Sequence, residues 1–349
     1  MRWGHGLPRC WLVLVLSTLA LACGQAAQDS PTSRGQGQAS DLISDPASNK
    51  SKAAEIAVPS TFAIATGGTG GLYYPYGGGM ASIWSEHLPQ VNARAEVTGG
   101  SVTNVIQVAR GESELGIAMA DVINAAWRGK GRFPDPLPIR VLFAAYPNIV
   151  HVLTLRESGL DSITDLMGKR VSLGAAGSGT AVAAQNVLSG LGVDLDQLSP
   201  VFLNFSETTS ALKDGTIDAG FVVGGLGLAA VTELAVTRNL QLIAITDAQM
   251  QVLVDTFPTY SAYEIPANTY NGQQDTVAAL GIWSGVVVHE QFPVQLATAL
   301  VCSLFERNEA LRQIAAVAVD TNLANIERVR GVPLHPGAQR VVDDASVCE

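Results

Sequence analysis

The sequence predicts an α/β fold with mostly parallel sheets, and three observations predict it. Short apolar runs alternate with helix-like segments from about residue 58 onward. Glycine-rich turns recur where an apolar run gives way to a helix, near residues 70, 100 and 178. Hydrophobic residues make up 47% of the chain and charged residues 15%, a balance suited to large buried sheets flanked by helices.

Taken in order, residues 61–65 read as a buried strand. The loop TGGTGGLYYPYGGG, residues 66–79, leads from it to a helix carrying Met80, Ala81, Ile83 and Trp84. Pro75 is compatible only with a first helical turn. Residues 91–97 read as a strand, and Gly99-Gly100-Ser101 opens a helix through Arg110. A strand at 116–119 is followed by Asp121 and a helix at 122–127. Two long apolar runs, 139–145 and 149–155, are broken at Tyr146-Pro147-Asn148.

The pattern then repeats. A strand at 170–173 meets the turn Gly174-Ala175-Ala176-Gly177-Ser178-Gly179-Thr180, and a helix over 181–191 stops at Gly192. Strands are expected at 201–205, 219–223 and 240–245, with helices at 207–213 and 225–234. After Asp247, helical and loop segments lead to Ile265-Pro266. Residues 277–288 are apolar without alternation, as a strand covered on both faces would be. Leu296, Leu300, Leu304 and Leu311 form a stripe on one or two helices over 293–317.

A strand ending in a glycine loop that opens a helix is a common way to build an anion site. Glycine lets the backbone approach a ligand, and the free N–H groups at the helix start hold negative charge. The residues exclude several sharper chemistries. No Lys-Ser or Lys-Thr follows the first loop, so it is not a Walker loop. Gly225, Gly227 and Ala230 match a dinucleotide fingerprint weakly, and a compact strand–helix turn explains them as well. Ser178 lacks the glycine two places before it that a nucleophile elbow needs, because Ala176 stands there. Its hydroxyl suits a helix N-cap, a ligand carboxylate, or both. His5, His87, His151, His289 and His335 show no paired metal spacing, and no HExxH or CxxC occurs. The reading includes no cofactor, no metal and no catalytic constellation.

The first residues read as an export signal over 1–22, with Arg2 and Arg9 ahead of the apolar run 11–22. Ala20 and Ala22 lead to Cys23, which resembles a bacterial lipoprotein cleavage box with Cys23 as the lipidated residue. Ordinary cleavage to a soluble periplasmic protein is the alternative. Residues 23–57, rich in Gln, Ser, Ala, Asp and Gly, read as a flexible tether. Formal net charge is −10, and −12 once Arg2 and Arg9 leave with the signal, which argues against non-specific nucleic-acid binding. Of the remaining cysteines, Cys302 and Cys348 either bridge a helix to the C-terminal tail or stay free thiols.

Several motifs in order carry a resemblance. TGGTGGLYYPYGGG, VTGGSVTNVIQVARGESELGIAMADV, DLMGKRVSLGAAGSGT, IPANTYNGQ and VPLHPGAQR resemble the solute-binding proteins of the TAXI class of TRAP transporters. The resemblance covers nearly all of residues 60–340. It implies a two-lobed, type II periplasmic-binding-protein fold whose crossing hinge strands are 139–155 and 277–288. Lobe one would be 58–147 plus 268–349, and lobe two 148–267. It further implies a small acidic solute, glutamate-like or a dicarboxylate, passed to ion-gradient-driven TRAP permease subunits. Carried over residue by residue, Gly70, Gly71, Tyr73, Ser101 and Asn104 would line the cleft from lobe one, with Asp121 nearby to receive an ammonium or hydroxyl. Ser178, Gly179 and Thr180 would line it from lobe two, and Tyr270 would sit near the hinge. His335 matches a family position as a packed surface histidine or a partner contact. Leu226-Gly227 departs from the family, which often has a proline after the preceding glycines. A binder of the same fold for an ABC permease or a sensor kinase is the runner-up, and a serine hydrolase using Ser178 the third reading.

Overall fold

The computed structural model describes residues 62–348. The signal segment, Cys23 and the tether lie outside the described residues. Ten strands form one sheet in the order β2-β1-β3-β10-β4-β7-β5-β6, with β8 added to β4 and β9 to β10. The strands are β1 (Phe62–Ala65), β2 (Ala93–Glu96), β3 (Leu115–Met119), β4 (Ile139–Leu155), β5 (Arg170–Ser172), β6 (Ser199–Val201), β7 (Ala219–Gly224), β8 (Leu240–Leu242), β9 (Tyr260–Ile265) and β10 (Val277–His289).

The expectation of mostly parallel pairing is corrected, because the sheet is mixed. Two short parallel blocks, β2-β1-β3 and β7-β5-β6, are joined by the long strands β4 and β10, which run antiparallel to each other and to their other neighbours. Each long strand packs in both cores, β4 through Phe143 and Val150 and β10 through Val286 and Ile282. β10 pairs with β3 over Ser284–Val288 and with β9 over Val277–Ile282. β4 pairs with β10 up to Ile149, then with β7 from Ile149 to Thr154. Sequence reading broke β4 at Tyr146-Pro147-Asn148, yet the strand continues through it. Pro147 lies opposite Trp283, beside a register irregularity between Trp283 and Gly285, the kind of place where a strand tolerates a missing N–H.

The helices are α1 (Tyr73–His87), α2 (Ser101–Arg110), α3 (Ala120–Arg128), α4 (Gly179–Gly190), α5 (Phe205–Lys213), α6 (Ala229–Thr237), α7 (Asp247–Thr256), α8 (Val294–Glu306), α9 (Asn308–Ile314) and α10 (Pro336–Asp343). Two boundaries moved. Phe205, read as the end of a strand, starts α5, because Asn204 and Glu207 form a capping box. Tyr260–Ile265, within the stretch expected as helical and loop segments, forms β9 against β10. α1 begins at Tyr73, so the triple glycine lies inside the helix. A Cβ on Gly77 would overlap the Thr66 methyl, and one on Gly79 would lie 2.6 Å from Leu311 Cδ1, whereas one on Gly78 would meet nothing within 4 Å. Two of the three glycines are therefore packing requirements.

Phe62, Ile64, Tyr76, Trp84 and Phe143 pack with α8 residues Leu296 and Leu300 around the first block. Val171, Val187, Phe221 and Ile243 pack around the second. Ile265, Tyr270 and Ala279 pack with Leu153, Val222 and Leu228, so this stretch of chain lies against the second block. Cys302 of α8 and Cys348 are joined by a disulfide, with Cα atoms 5.2 Å apart. Among the described residues, no helix is long and apolar enough to cross a membrane.

Candidate functional site

A cavity of about 320 Å3 lies where the carboxyl ends of the two parallel blocks face each other. In open α/β sheets this is where loops leave the strands and ligands sit. Its wall draws on the segments after β1, β2, β5 and β6, on the ends of β3 and β7, and on Tyr146 and Asn148 of β4.

Four helices start at this wall. Leu72, Gly100, Ser178 and Asn204, the N-cap residues of α1, α2, α4 and α5, all line it. Among the described residues, the wall carries no Asp, Glu, Lys, Arg or His. Its positive character comes from backbone N–H groups and helix dipoles alone. The N–H groups of Gly179, Thr180, Phe205 and Ser206 find no hydrogen-bond partner among the described residues. Leu72, Val97, Met119, Phe205 and Val223 supply apolar surface.

The two blocks touch across one end of the cavity. The Gly177 carbonyl accepts from Val102 N at 3.1 Å and Thr103 N at 3.3 Å, so a loop of one block caps the helix start of the other. Gly100, at φ 103°, adopts a backbone that L side chains rarely take, and at Gly99 an added Cβ would lie 3.2 Å from Ala176 O of the other block. On the far side, Asn186 of α4 donates to the Tyr260 hydroxyl at 2.9 Å, which donates to Asp121 Oδ2 at 3.0 Å.

Gly70, Gly71, Tyr73, Ser101, Ser178, Gly179 and Thr180 all line the cavity. Ser101 Oγ accepts from Met119 N, and Tyr73 and Ser284 share a hydrogen bond of 2.6 Å between their hydroxyls. Burial pushes the Tyr73 hydroxyl up to about 12, so it stays protonated. Ser178 Oγ accepts from Ala181 N at 3.0 Å as the cap of α4.

Three expected site residues lie off the wall. Asn104 is fully buried beneath the loops, where Nδ2 donates to Thr66 O and Ile117 O and Oδ1 accepts from Thr98 Oγ1. Its hydrogen-bonding capacity is spent on tying β1, β2 and β3 together. Asp121 is engaged by Tyr260 and by Val122 N, and burial pushes its carboxyl up to about 6. Tyr270 is buried in the second block, where its hydroxyl donates to His151 Nε2 at 2.9 Å. His335 is neither a surface histidine nor exposed to a partner. It is fully buried, and Nδ1 caps α10 by accepting from Gly337 N.

Sequence reading missed Tyr146, Asn148 and the Asn204–Ser206 turn. The capping box at Asn204 and Glu207 was a readable signal for the last of these. Tyr146 and Asn148 gave none, because only the pairing of β4 with β10 carries them to the cavity.

These features define the fold of the periplasmic binding proteins. MatC from Rhodopseudomonas palustris, determined with bound malate, aligns with a TM-score of 0.51 at 15% identity, covering 84% of this chain and 99% of that one. The periplasmic binding protein BugD aligns at 0.52 and 13% identity, covering 82% and 95%. A protein from Bordetella bronchiseptica RB50 aligns at 0.50 and 16% identity, covering 82% and 79%. Residues 64–343 match the NMT1-like family, and the chain belongs to that family.

Proposed function

We propose that this protein is an extracytoplasmic solute-binding protein that captures a small anionic solute and delivers it to a membrane permease. The observation that carries the reading is the cavity wall, which combines four helix starts with no charged side chain. Such a wall favours negative charge, and each charge-assisted hydrogen bond contributes about 1.5–3 kcal/mol. MatC, with its bound malate, offers a precedent for an acid in this fold.

In this reading the permease is of the TRAP type, following the motif resemblance to its TAXI class. The two lobes are residues 58–147 with 268–349, and residues 148–267. The packing of Tyr270 with Val222 supports a second crossing within β10, so that residues 268–276 would go with the second lobe. Cys23 anchors the mature chain to the membrane facing the periplasm. An ABC permease or a sensor kinase is the alternative partner. The hydrolase reading gains no support, since Ser178 Oγ serves as a helix cap and the cavity wall offers no His, Asp or Glu as a base.

The test is a thermal-shift screen of the purified mature protein against carboxylates, phosphate, sulfonates, sugars and cationic amines. Anions are expected to raise the melting temperature, and sugars and amines to leave it unchanged. A screen in which no anion acts would overturn the proposal.

A further inference from the structure

One residue of the cavity wall carries a buried polar group that is left out of the hydrogen-bond network among the described residues. Tyr146 lines the cavity and is 0% exposed, and its hydroxyl has no partner among the described residues. Its aromatic neighbours are fully engaged. Tyr73 bonds Ser284, and Tyr76 bonds Thr321, which in turn donates to Ala145 O. Both rings pack edge-on against Tyr146, at centroid distances of 6.3 and 5.2 Å. The ring is thus held in place while its hydroxyl is unsatisfied. Buried hydroxyls are nearly always paired, so an exception calls for an explanation, and of the four such atoms among the described residues only this one belongs to a cavity-wall residue.

Resting on the solute-binding reading, we propose that Tyr146 donates its hydroxyl hydrogen to a second oxygen of the solute, and that the solute is an acid without an ammonium group. Two further observations converge on this class. The N–H groups of Gly179, Thr180, Phe205 and Ser206 supply donors for a carboxylate, so the acid group is provided for without Tyr146. An ammonium group is not provided for. No carboxylate of the described residues lines the wall, and the acids next to it in sequence are engaged: Asp121 accepts from Tyr260 and Val122, Glu96 from Arg94, and Glu207 from Asn204 N. The helix starts around the cavity present their positive ends, which repel a cation. Burial raises the Tyr146 hydroxyl well above its ordinary range, so it acts as a donor and not as a base. The bound solute would therefore carry a carboxylate, an oxo or hydroxyl oxygen beside it, and an apolar body against Leu72, Met119 and Phe205.

The experiment is calorimetric titration with matched triplets that differ only at carbon 2. Pyruvate, propionate and alanine form one triplet. 2-Oxoisovalerate, isovalerate and valine form another, and 2-oxoglutarate, glutarate and glutamate the third. In the triplet that binds most tightly, the oxo acid is expected to exceed the amino acid by at least tenfold. Tyr146→Phe is expected to weaken the oxo acid about tenfold and leave the unsubstituted acid unchanged. Ligand-free Tyr146→Phe should be at least as heat-stable as wild type, because it loses only an unpaired hydroxyl. Tighter binding of an amino acid would overturn the proposal while leaving the solute-binding reading intact. So would an oxo-acid affinity indifferent to Tyr146→Phe, or a large loss of ligand-free stability. Binding by no member of any triplet would overturn this proposal alone if the wider anion screen still found a ligand, and both readings if it did not.

Discussion

Two buried tyrosines separate what the fold needs from what a ligand would need. Tyr270 and Tyr146 are 2% and 0% exposed. The Tyr270 hydroxyl donates to His151 Nε2, whose Nδ1 donates to Ile149 O, so the pair closes on itself inside the second block. The Tyr146 hydroxyl has no such partner among the described residues, and Tyr146 is a residue of the cavity wall. Both side chains are aromatic, buried and polar at the tip, and their roles differ by one hydrogen bond. The same contrast holds for two asparagines. Asn104 spends both ends of its amide on β3 and the loops after β1 and β2, whereas Asn148 donates to Ile282 O and Ser284 Oγ and still lines the cavity.

The largest expected effect tests the closed pair by pH. Burial holds His151 neutral, with its pKa lowered to about 4. A histidine depressed in the folded state is protonated first in the unfolded chain, so folding stability falls as pH drops from the ordinary histidine value toward 4. The loss should reach about 3 kcal/mol. Asp121 acts in the opposite sense, because its raised value, about 6, makes the folded state take up a proton first. The quantity to measure is therefore the stability difference between wild type and His151→Asn, by urea unfolding at pH 7, 5.5 and 4. A difference that stays constant with pH would mean that the pair is not buried as described.

Smaller in size is the effect of breaking the pair from its other end. Tyr270→Phe leaves the buried His151 Nε2 without a donor and should cost about 2 kcal/mol in stability. Solute affinity should be unchanged, since Tyr270 is not on the cavity wall. Reduced affinity at full stability would invert the comparison between the two tyrosines.

The smallest effect concerns the glycines of α1. Gly78→Ala should stabilise by about 1 kcal/mol, since the added methyl meets nothing and the helix gains propensity. Gly77→Ala should destabilise, because its methyl would overlap Thr66. Thermal unfolding of the two variants side by side checks both signs.

Much of this was legible locally. The apolar runs of β1, β4 and β10 and the glycine turns before α2 and α4 announce themselves, because hydrophobic burial and turn geometry act within a few residues of chain. Seven of the ten expected site residues line the cavity for that reason, since they sit at strand-to-helix turns. The failures share a cause. Asn104 stands on α2 with the wall residue Ser101, and Asp121 stands two residues after the wall residue Met119, and only the direction and partners of their side chains remove them. Tyr270 follows a turn that gives no hint of His151, 119 residues earlier in sequence.

The sequence by itself determined an α/β chain with glycine turns opening helices, a neutral anion-favouring chemistry, and the stretches long enough to cross between blocks. Periodicity, turn residues and composition are local quantities, and they suffice for that. Tertiary structure alone decided that the sheet is mixed and continuous, that Gly177 of one block caps the helix of the other, and that Tyr146 reaches the cavity unpaired. Those outcomes depend on strand pairing and on which polar groups find partners across the fold. Hydrogen bonds between residues far apart in sequence leave no pattern along the chain.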